Sequence, residues 1–267
     1  MVKLLTEKEV QVLQKYRLNP GFKHAFCVAD LMNEIFLKEF MTNLSKVIGA
    51  PSEKVAASIF IKRYAFVAVI ALYAMSAWNK KVNVNLDMIE MEAPEQGKNW
   101  LPSVNIKDLT AEELDLSSKG RAEWRQEVIK DLFAKNISPI IAKLEKTFGI
   151  SKLILWENIA VYLIWLYETE LKSSNQQAFD DFNYIIFEAD GSLFGRFKDN
   201  PLQKYYGKKA FMEELGEEVR IRKTCCFTYQ LKASTKRCKT CPCTHPSKDG
   251  MCINGEQDIC RSILRLD

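Results

Sequence analysis

The run YAFVAVIALYAMSAW, residues 64–78, lies in the longest uncharged stretch of the chain. Its 15 residues fall short of the roughly 18 to 20 that a membrane-spanning helix needs. Because the run is apolar on every side, the helix that it forms must be surrounded by other helices. A second run, LILWENIAVYLIWLYE at 153–168, has the same character. The two runs predict two buried central helices and no transmembrane segment.

Capping signals and apolar spacing extend the helical assignment to most of the chain. Thr6 and Glu9 have the spacing of a capping box, which predicts a first helix ending near Tyr16. Ser52 is placed to cap the helix that carries the run 64–78. Further helices are predicted within 23–47, 120–148 and 211–215. The segment that begins at Phe179 is ambiguous, because its apolar residues fit both a strand and a helix, and a helix with a turn at Asp190-Gly191 is the favoured interpretation.

The segment VNVNLDM, residues 82–88, is the clearest candidate for a strand. Apolar and polar residues alternate along it, which is typical of a strand with one buried face. The predicted fold class is therefore mainly α, or α+β with a small strand component.

The bulk composition indicates a folded protein of the cytoplasm. Of 267 residues, 47% are apolar, which is enough for a sizeable core. The N-terminal MVKLLTEKEV meets charge at Glu7 before any apolar run of signal-peptide length. We therefore expect a cytoplasmic location.

The cysteines are concentrated at the C-terminal end. Seven of the eight follow residue 224, and five lie within RKTCCFTYQLKASTKRCKTCPC, residues 222–243. In a reducing compartment such a group indicates a metal or redox site more often than disulfides. The predicted organisation is a helical body, residues 1–219, followed by a cysteine-rich segment and tail, residues 220–267. Cys27 stands alone and is interpreted as a small buried apolar residue.

The cysteine spacing leaves the type of metal open. The corner Cys238-x2-Cys241 occurs in zinc sites and in iron-sulfur sites alike. The adjacent pair Cys225-Cys226 is less usual, because neighbouring side chains of an extended backbone point in opposite directions. On spacing alone, an iron-sulfur cluster and a structural zinc site with four cysteine ligands are comparable, and a disulfide ranks third.

Positive charge surrounds these cysteines. The segment from Arg220 to Lys248 carries eight Lys and Arg and no Asp or Glu. Since the net charge of the whole chain is +4, the remaining residues have a net charge of −4. Positive charge favours the reduced state of an anionic cluster. A solvated surface around zinc is the other interpretation, and the modest total charge argues against nucleic-acid binding. The residues nearest the sulfurs are Arg222, Lys223, Lys236, Arg237 and Lys239.

The pattern RKTCCFTY followed by CxxCP resembles the FhuF-type ferric-siderophore reductases, which hold a 2Fe-2S cluster in a Cys-Cys-x10-Cys-x2-Cys motif. Here the loop is one residue longer, Cys225-Cys226-x11-Cys238-x2-Cys241. The segments WEN at 156–158 and NPL at 200–202 are compatible with the same family. The resemblance implies that Cys225, Cys226, Cys238 and Cys241 are the cluster ligands.

The resemblance also implies an oxidoreductase that reduces siderophore-bound Fe(III) to Fe(II) by one electron. Its substrate would be a ferric siderophore, for example an anionic carboxylate or hydroxamate type, and its donor an external ferredoxin or flavodoxin. The basic residues would dock the substrate or the donor. No catalytic residue beyond the cluster is expected. The alternative is a helical binding module with a structural zinc ion held by four cysteines.

Three further cysteines leave the ligand set open. Cys243 follows Cys241 by two residues and is close enough to replace Cys238 or Cys241. Cys252 and Cys260 are interpreted as packing residues of a short final helix, with a ligand or redox role as the other possibility. His245 is interpreted as a surface residue.

Overall fold

A computed structural model describes residues 1–21, 24–97, 100–114, 120–172, 176–213, 216–234 and 237–244. The α-helices are α1 (Glu7–Gln14), α2 (Glu34–Ile48), α3 (Glu53–Trp78), α4 (Arg121–Leu132), α5 (Ser138–Phe148), α6 (Lys152–Trp165) and α7 (Gln176–Asn183). The strands are β1 (Val2–Leu4), β2 (Ala25–Cys27), β3 (Lys80–Val82), β4 (Ile89–Glu92), β5 (Val104–Ile106), β6 (Thr110–Glu113), β7 (Ala210–Met212) and β8 (Glu217–Val219). The prediction of a mainly α fold with a small strand component is confirmed.

Helices α3 and α6 form the centre of the protein and pack mainly against each other. Both are apolar on nearly all sides, and large side chains such as Phe60 and Trp156 are fully buried between neighbouring helices. By length and composition α3 is able to cross a membrane, but 89% of its most apolar 18-residue window is buried inside the protein. This burial confirms the prediction of a core helix.

The predicted capping residues start their helices. Thr6 accepts a hydrogen bond from Glu9 N, while the Glu9 carboxylate accepts one from Thr6 N at 2.8 Å, so the capping box is complete. Ser52 accepts a hydrogen bond from Val55 N at 3.4 Å and starts α3. These bonds satisfy amide groups that have no partner within the helix.

Short π-helical segments continue three of the helices. Residues Phe133–Ile137 join α4 to α5, and Leu166–Glu170 extend α6. Residues Tyr184–Glu188 extend α7, which confirms a helix in this ambiguous segment. The turn at Asp190-Gly191 is also present, since the Asp190 carboxylate accepts a hydrogen bond from Ser192 N at 2.9 Å.

The strands form three small antiparallel sheets, with the orders β1-β6-β3, β2-β4-β5 and β7-β8. The predicted strand 82–88 is mostly wrong, because β3 ends at Val82 and Leu86–Met88 forms a 3-10 turn. The side chain of Asn83 accepts a hydrogen bond from Asn85 N at 3.1 Å, which turns the backbone out of the extended form.

Two predicted helices also need correction. The helix predicted within 23–47 begins only at Glu34, because Asn33 caps it by accepting hydrogen bonds from Ile35 N and Phe36 N at 2.9 and 3.2 Å. The helix predicted at 211–215 is wrong for its described residues, because Ala210–Met212 pairs with Glu217–Val219 as antiparallel strands, while residues 214–215 lie outside the described residues. Gly216, with a φ of 64°, supplies the left-handed turn that the hairpin requires.

Candidate metal centre

Five cysteine thiols converge at the C-terminal end of the described residues. The sulfurs of Cys225, Cys241 and Cys243 all lie within 4.8 Å of one another. Cys238 makes hydrogen bonds to Cys226 and to Cys241, so the remaining two thiols adjoin this group. The residues that the family resemblance implies as ligands, Cys225, Cys226, Cys238 and Cys241, are therefore brought together, and Cys243 joins them. Cys252, Cys260 and His245 lie outside the described residues.

The adjacent pair Cys225 and Cys226 faces two different sets of partners. The Cys225 thiol is in contact with Cys241 and Cys243, whereas the Cys226 thiol is in contact with Cys238. Because neighbouring side chains of an extended backbone point in opposite directions, Cys225 and Cys226 can each reach a different part of the thiol group. Phe227, which follows the pair, has a left-handed backbone with a φ of 59°, and its N–H donates to Cys225 Sγ at 3.4 Å.

Most of the thiol group is shielded from solvent. The exposed fractions of Cys225 and Cys226 are 2% each, and that of Cys241 is 1%. Cys238 and Cys243 are half-buried and form the accessible side. A bound metal would thus be covered by the helical body on one side and approachable on the other.

Hydrogen bonds among the thiols favour the thiolate form at two positions. The thiol of Cys238 and the positive charges of Lys62 and Arg222 together lower the pKa of Cys226 to about 4, although burial opposes this. Hydrogen bonds from Cys225, Cys238 and Cys243 lower the pKa of Cys241 below its usual value. The same contacts raise the pKa of Cys225 and Cys238, so only part of the group favours the thiolate in the absence of a bound metal. The thiolate is the form of cysteine that binds metals, and Cys226 and Cys241 are the positions that most favour it.

Lys62 of α3 supplies a positive charge to the thiol group. Its Nζ lies 3.8 Å from Cys226 Sγ and donates to Thr228 Oγ1 at 3.1 Å. The Thr228 hydroxyl is itself 3.0 Å from Cys226 Sγ. A second cation, Arg237, lies 3.8 Å from Cys241 Sγ and stacks on the ring of Tyr229.

Glu157 of α6 anchors the cysteine loop, residues 222–243, to the helical core. The carboxylate is 2% exposed and accepts hydrogen bonds from Lys223 N at 2.6 Å and Thr224 N at 2.7 Å. The hydroxyl of Thr224 donates to the same carboxylate. These bonds fix the backbone immediately before Cys225, and a buried carboxylate requires such partners.

Asn158 connects the same loop to α3. Its side-chain oxygen accepts a hydrogen bond from Arg222 Nη2 at 2.7 Å, and its nitrogen donates to Ser58 O and Oγ, both at 3.0 Å. The Ser58 hydroxyl donates to the carbonyl of Cys226 at 3.0 Å. Both central helices thus hold the adjacent cysteine pair through fully buried polar groups.

The cations predicted to dock a substrate or donor lie in different environments. Arg222 is only 7% exposed and bonded to Asn158, so its prediction as a docking residue is corrected: it holds the loop. Lys223 and Lys239 are exposed, and Lys239 pairs with Glu217 at 3.0 Å. Arg237 is half-buried beside Cys241. Lys236 lies outside the described residues.

The cysteine spacing does not predict the roles of Ser58, Lys62, Glu157 and Asn158. The signal that points to the last two is their place in the sequence, since both are polar within the apolar run 153–168. A polar side chain on a helix buried on all sides needs an internal partner. Here that partner is the cysteine loop.

Glu168, in the π-helical extension of α6, holds the start of the cysteine-rich segment. It accepts hydrogen bonds from Arg220 Nη2 and Tyr206 OH, both at 2.9 Å, and pairs with Lys209 at 2.9 Å. Although burial opposes ionisation, the bonds from Arg220, Lys209 and Tyr206 lower the pKa of Glu168 from 4.5 to about 2.

Glu168 is therefore expected to make the stability of the protein depend on acidity. Because the pKa of Glu168 is lower in the folded state, its ionised carboxylate contributes its full stabilisation at pH values above the ordinary pKa of 4.5. This contribution is lost as the pH falls towards about 2. We expect the unfolding free energy of Glu168→Gln, measured with urea from about pH 6 to about pH 2, to fall less steeply than that of the wild type. Equal slopes would contradict this role.

A family model described as "Ferric iron reductase FhuF-like transporter" matches residues 58–213. The match begins at Ser58, includes Lys62, Glu157 and Asn158, and ends before the first cysteine of the loop. No match was found among the curated proteins. Because the family match spans more than half of the chain, the chain belongs to the FhuF-like family.

Proposed function

We propose that the protein is a ferric-siderophore reductase that reduces bound Fe(III) to Fe(II) by one electron through a 2Fe-2S cluster. The observation that carries the proposal is the convergence of Cys225, Cys226, Cys238 and Cys241 in a chain whose family is described as a ferric iron reductase. These four cysteines are the proposed ligands.

The donor set fits such a cluster. Cys225 is in contact with Cys241, Cys241 with Cys238, and Cys238 with Cys226, so the four sulfurs form a continuous chain of contacts. Four thiolates are the ligand set of a 2Fe-2S cluster. Cys243 is in contact with Cys225 and Cys241 at one end of this chain. When bound, the cluster would supply electrons one at a time.

The surrounding residues hold and tune this site. Glu157 and Asn158 fix the loop before the cysteine pair, and the burial of Cys225, Cys226 and Cys241 keeps water from their sulfurs. Lys62 and Arg237 place positive charge within 3.8 Å of two sulfurs. Positive charge at this distance offsets thiolate charge and favours the addition of an electron.

Reduction alone is sufficient to release the metal. Ferric ion is a hard cation that oxygen-donor siderophores bind very tightly, whereas ferrous ion is bound much less well by the same ligands. The ligand therefore need not be hydrolysed, and no acid-base pair is required. The electron would come from an external donor of the ferredoxin or flavodoxin class in the cytoplasm, and exposed Lys223 and Lys239 are the proposed docking residues for acidic partners.

A structural zinc site is the second candidate function. The compact group of Cys225, Cys241 and Cys243 favours it, because zinc is bound by closely spaced thiolates in binding modules. In that case the basic residues would form a docking surface without electron transfer.

The experiment that separates the two is the visible absorption spectrum of protein purified without oxygen, with iron and zinc counted in the same sample. Charge-transfer bands that bleach on reduction and return when a ferric siderophore is added are the expected result. A colourless protein with one zinc per chain would reject the reductase.

Lys62 is expected to raise the reduction potential of the site. Replacing Lys62 with methionine removes a charge that lies 3.8 Å from Cys226 Sγ, so the midpoint potential should fall by tens of millivolts. A spectroscopic redox titration measures the change, and Lys208→Met, at an exposed lysine, is the matched control. Equal potentials in both variants would contradict the role of Lys62.

A further inference from the structure

A cavity of about 600 Å³ adjoins the cysteine loop. It lies between the end of α2, the first half of α3 and the loop residues 228–234, and its volume falls in the range of small-molecule sites, roughly 300 to 1,000 Å³. Trp100 closes one wall and stacks on Phe60 of α3, with ring centres 6.1 Å apart. The cavity therefore has an apolar wall that is packed against α3.

Among the described residues, every charged residue that lines this pocket is positive. Lys46, Arg63 and Lys232 contribute cations, and no described Asp or Glu belongs to the lining. The remaining lining is mostly apolar and includes Trp100 and Leu101, the latter 49% exposed. A pocket with these properties fits a ligand that is anionic and also has an apolar part.

A second cavity, of about 340 Å³, lies beside the loop and has a different charge balance. Its cations Arg220 and Lys209 are already paired with Glu168, which also lines it, and its third cation, Arg222, lies 3.7 Å from the Glu157 carboxylate. A new anion would meet neutralised cations and nearby carboxylates there. The larger pocket is the better site for an anion.

Arg63 gives the larger pocket an incompletely satisfied cation. Its Nε is buried and has no hydrogen-bond partner, and within the described parts of the chain no carboxylate forms an ion pair with its guanidinium. The neighbouring Arg17 is also positive, and its pKa is lowered by burial and then by the charge of Arg63. Arg17 does not line the pocket, but its charge adds to that of Arg63, and a guanidinium that has no carboxylate ion pair among the described residues is suited to bind an anionic group.

The pocket is separated from the thiol group by one side chain. Thr228 lines the pocket, and its hydroxyl lies 3.0 Å from Cys226 Sγ. A ligand in contact with Thr228 would therefore sit next to a proposed cluster ligand, which is the proximity that electron transfer requires.

We propose that this pocket binds the ferric chelate, and that its substrates are anionic iron complexes with an apolar portion, such as carboxylate or mixed carboxylate-hydroxamate chelates. The inference rests on the proposed function. Arg63 and Lys232 contact the anionic groups, and the apolar portion lies against Trp100. One electron from the external ferredoxin or flavodoxin reaches the chelated Fe(III) on the Cys226 side, and the product is Fe(II).

Binding is tested apart from reduction with gallium(III), which has the charge of Fe(III) but is not reduced under these conditions. The probes are the gallium(III) complexes of citrate and of a citrate-based dihydroxamate, titrated calorimetrically into the holoprotein. We expect saturable binding that weakens by about tenfold or more in Arg63→Gln and in Lys232→Glu. Lys208→Glu, which changes an exposed lysine outside the pocket by the same charge, should bind as the wild type does.

A loss of binding can be distinguished from a loss of folded structure in these variants. Lys232 is exposed, so Lys232→Glu should keep the wild-type far-ultraviolet circular dichroism even where Arg63→Gln does not. Absence of binding by both probes, or equal affinity in the Lys232→Glu and Lys208→Glu variants, would overturn the proposed pocket.

The two proposals fail in different ways. If the protein lacks a reducible iron centre but the gallium complexes bind and Lys232→Glu weakens them, the pocket stands and the reductase does not. If Lys232→Glu and Arg63→Gln reduce the ferric chelates at wild-type rates and KM, the reductase stands and the pocket is overturned.

Discussion

Replacing Cys225 with serine is expected to remove the metal centre, lowering bound iron by more than about tenfold and abolishing both the visible absorption and ferric reduction. Cys225 contacts Cys241 and Cys243 and is 2% exposed, so its replacement removes a buried thiol from the group of proposed ligands. Cys238→Ser should have the same effect, because Cys238 connects Cys226 to Cys241. Iron analysis and absorption spectra measure both.

The matched control is Cys27→Ser, at a cysteine whose sulfur lies 3.6 Å from the carbonyl of Asp87 and away from the loop. It should keep iron, colour and activity. The far-ultraviolet circular dichroism of all the variants should stay mainly helical, because α3 and α6 pack against each other independently of the thiols. Loss of helix together with the metal would favour a structural site.

Cys243→Ser tests the ligand set. With Cys225, Cys226, Cys238 and Cys241 as ligands, this variant should keep its iron and its spectrum, although Cys243 lies within 4.8 Å of two of them. Loss of iron in Cys243→Ser, with retention in Cys238→Ser, would show that Cys243 is a ligand and Cys238 is not.

The central helices and their caps could be predicted because their signals are local. The runs 64–78 and 153–168 are apolar all round, and the capping bonds of Thr6 and Ser52 involve residues three positions apart. The strand predicted at 82–88 failed for an equally local reason, the hydrogen bond from Asn85 N to the Asn83 side chain. The alternation of apolar and polar residues gives no information about a side-chain hydrogen bond that favours a turn over a strand.

The candidate site could be predicted only for the residues that lie together in sequence. The five cysteines fall within 222–243 and have a spacing that indicates a metal. Their supports come from far away: Lys62 precedes Cys226 by 164 positions, and Glu157 precedes Thr224 by 67. A single sequence carries no signal for such pairs until the packing of α3 against α6 brings them together. The boundary between a body at 1–219 and a segment at 220–267 stays a prediction.

Among the residues that are not proposed to bind metal, Glu157 is expected to have the largest effect on the stability of the protein when it is replaced. In Glu157→Ala, the amides of Lys223 and Thr224 and the hydroxyl of Thr224 lose their acceptor inside the protein. Removing one partner of a buried polar network is costly because the other groups stay buried, so we expect the unfolding free energy to fall by about 3 to 5 kcal/mol. Urea unfolding of the holoprotein measures this.

The control for Glu157→Ala is Glu39→Ala on the exposed face of α2, which should change the unfolding free energy by less than about 0.5 kcal/mol. Glu157→Gln should fall between the two, because its amide keeps one acceptor oxygen for the loop. Since the bonds of Glu157 end one residue before Cys225, Glu157→Ala should also lose iron faster to a chelator than Glu39→Ala. Equal stability and equal rates of iron loss in the two alanine variants would mean that the thiols hold the loop without α6.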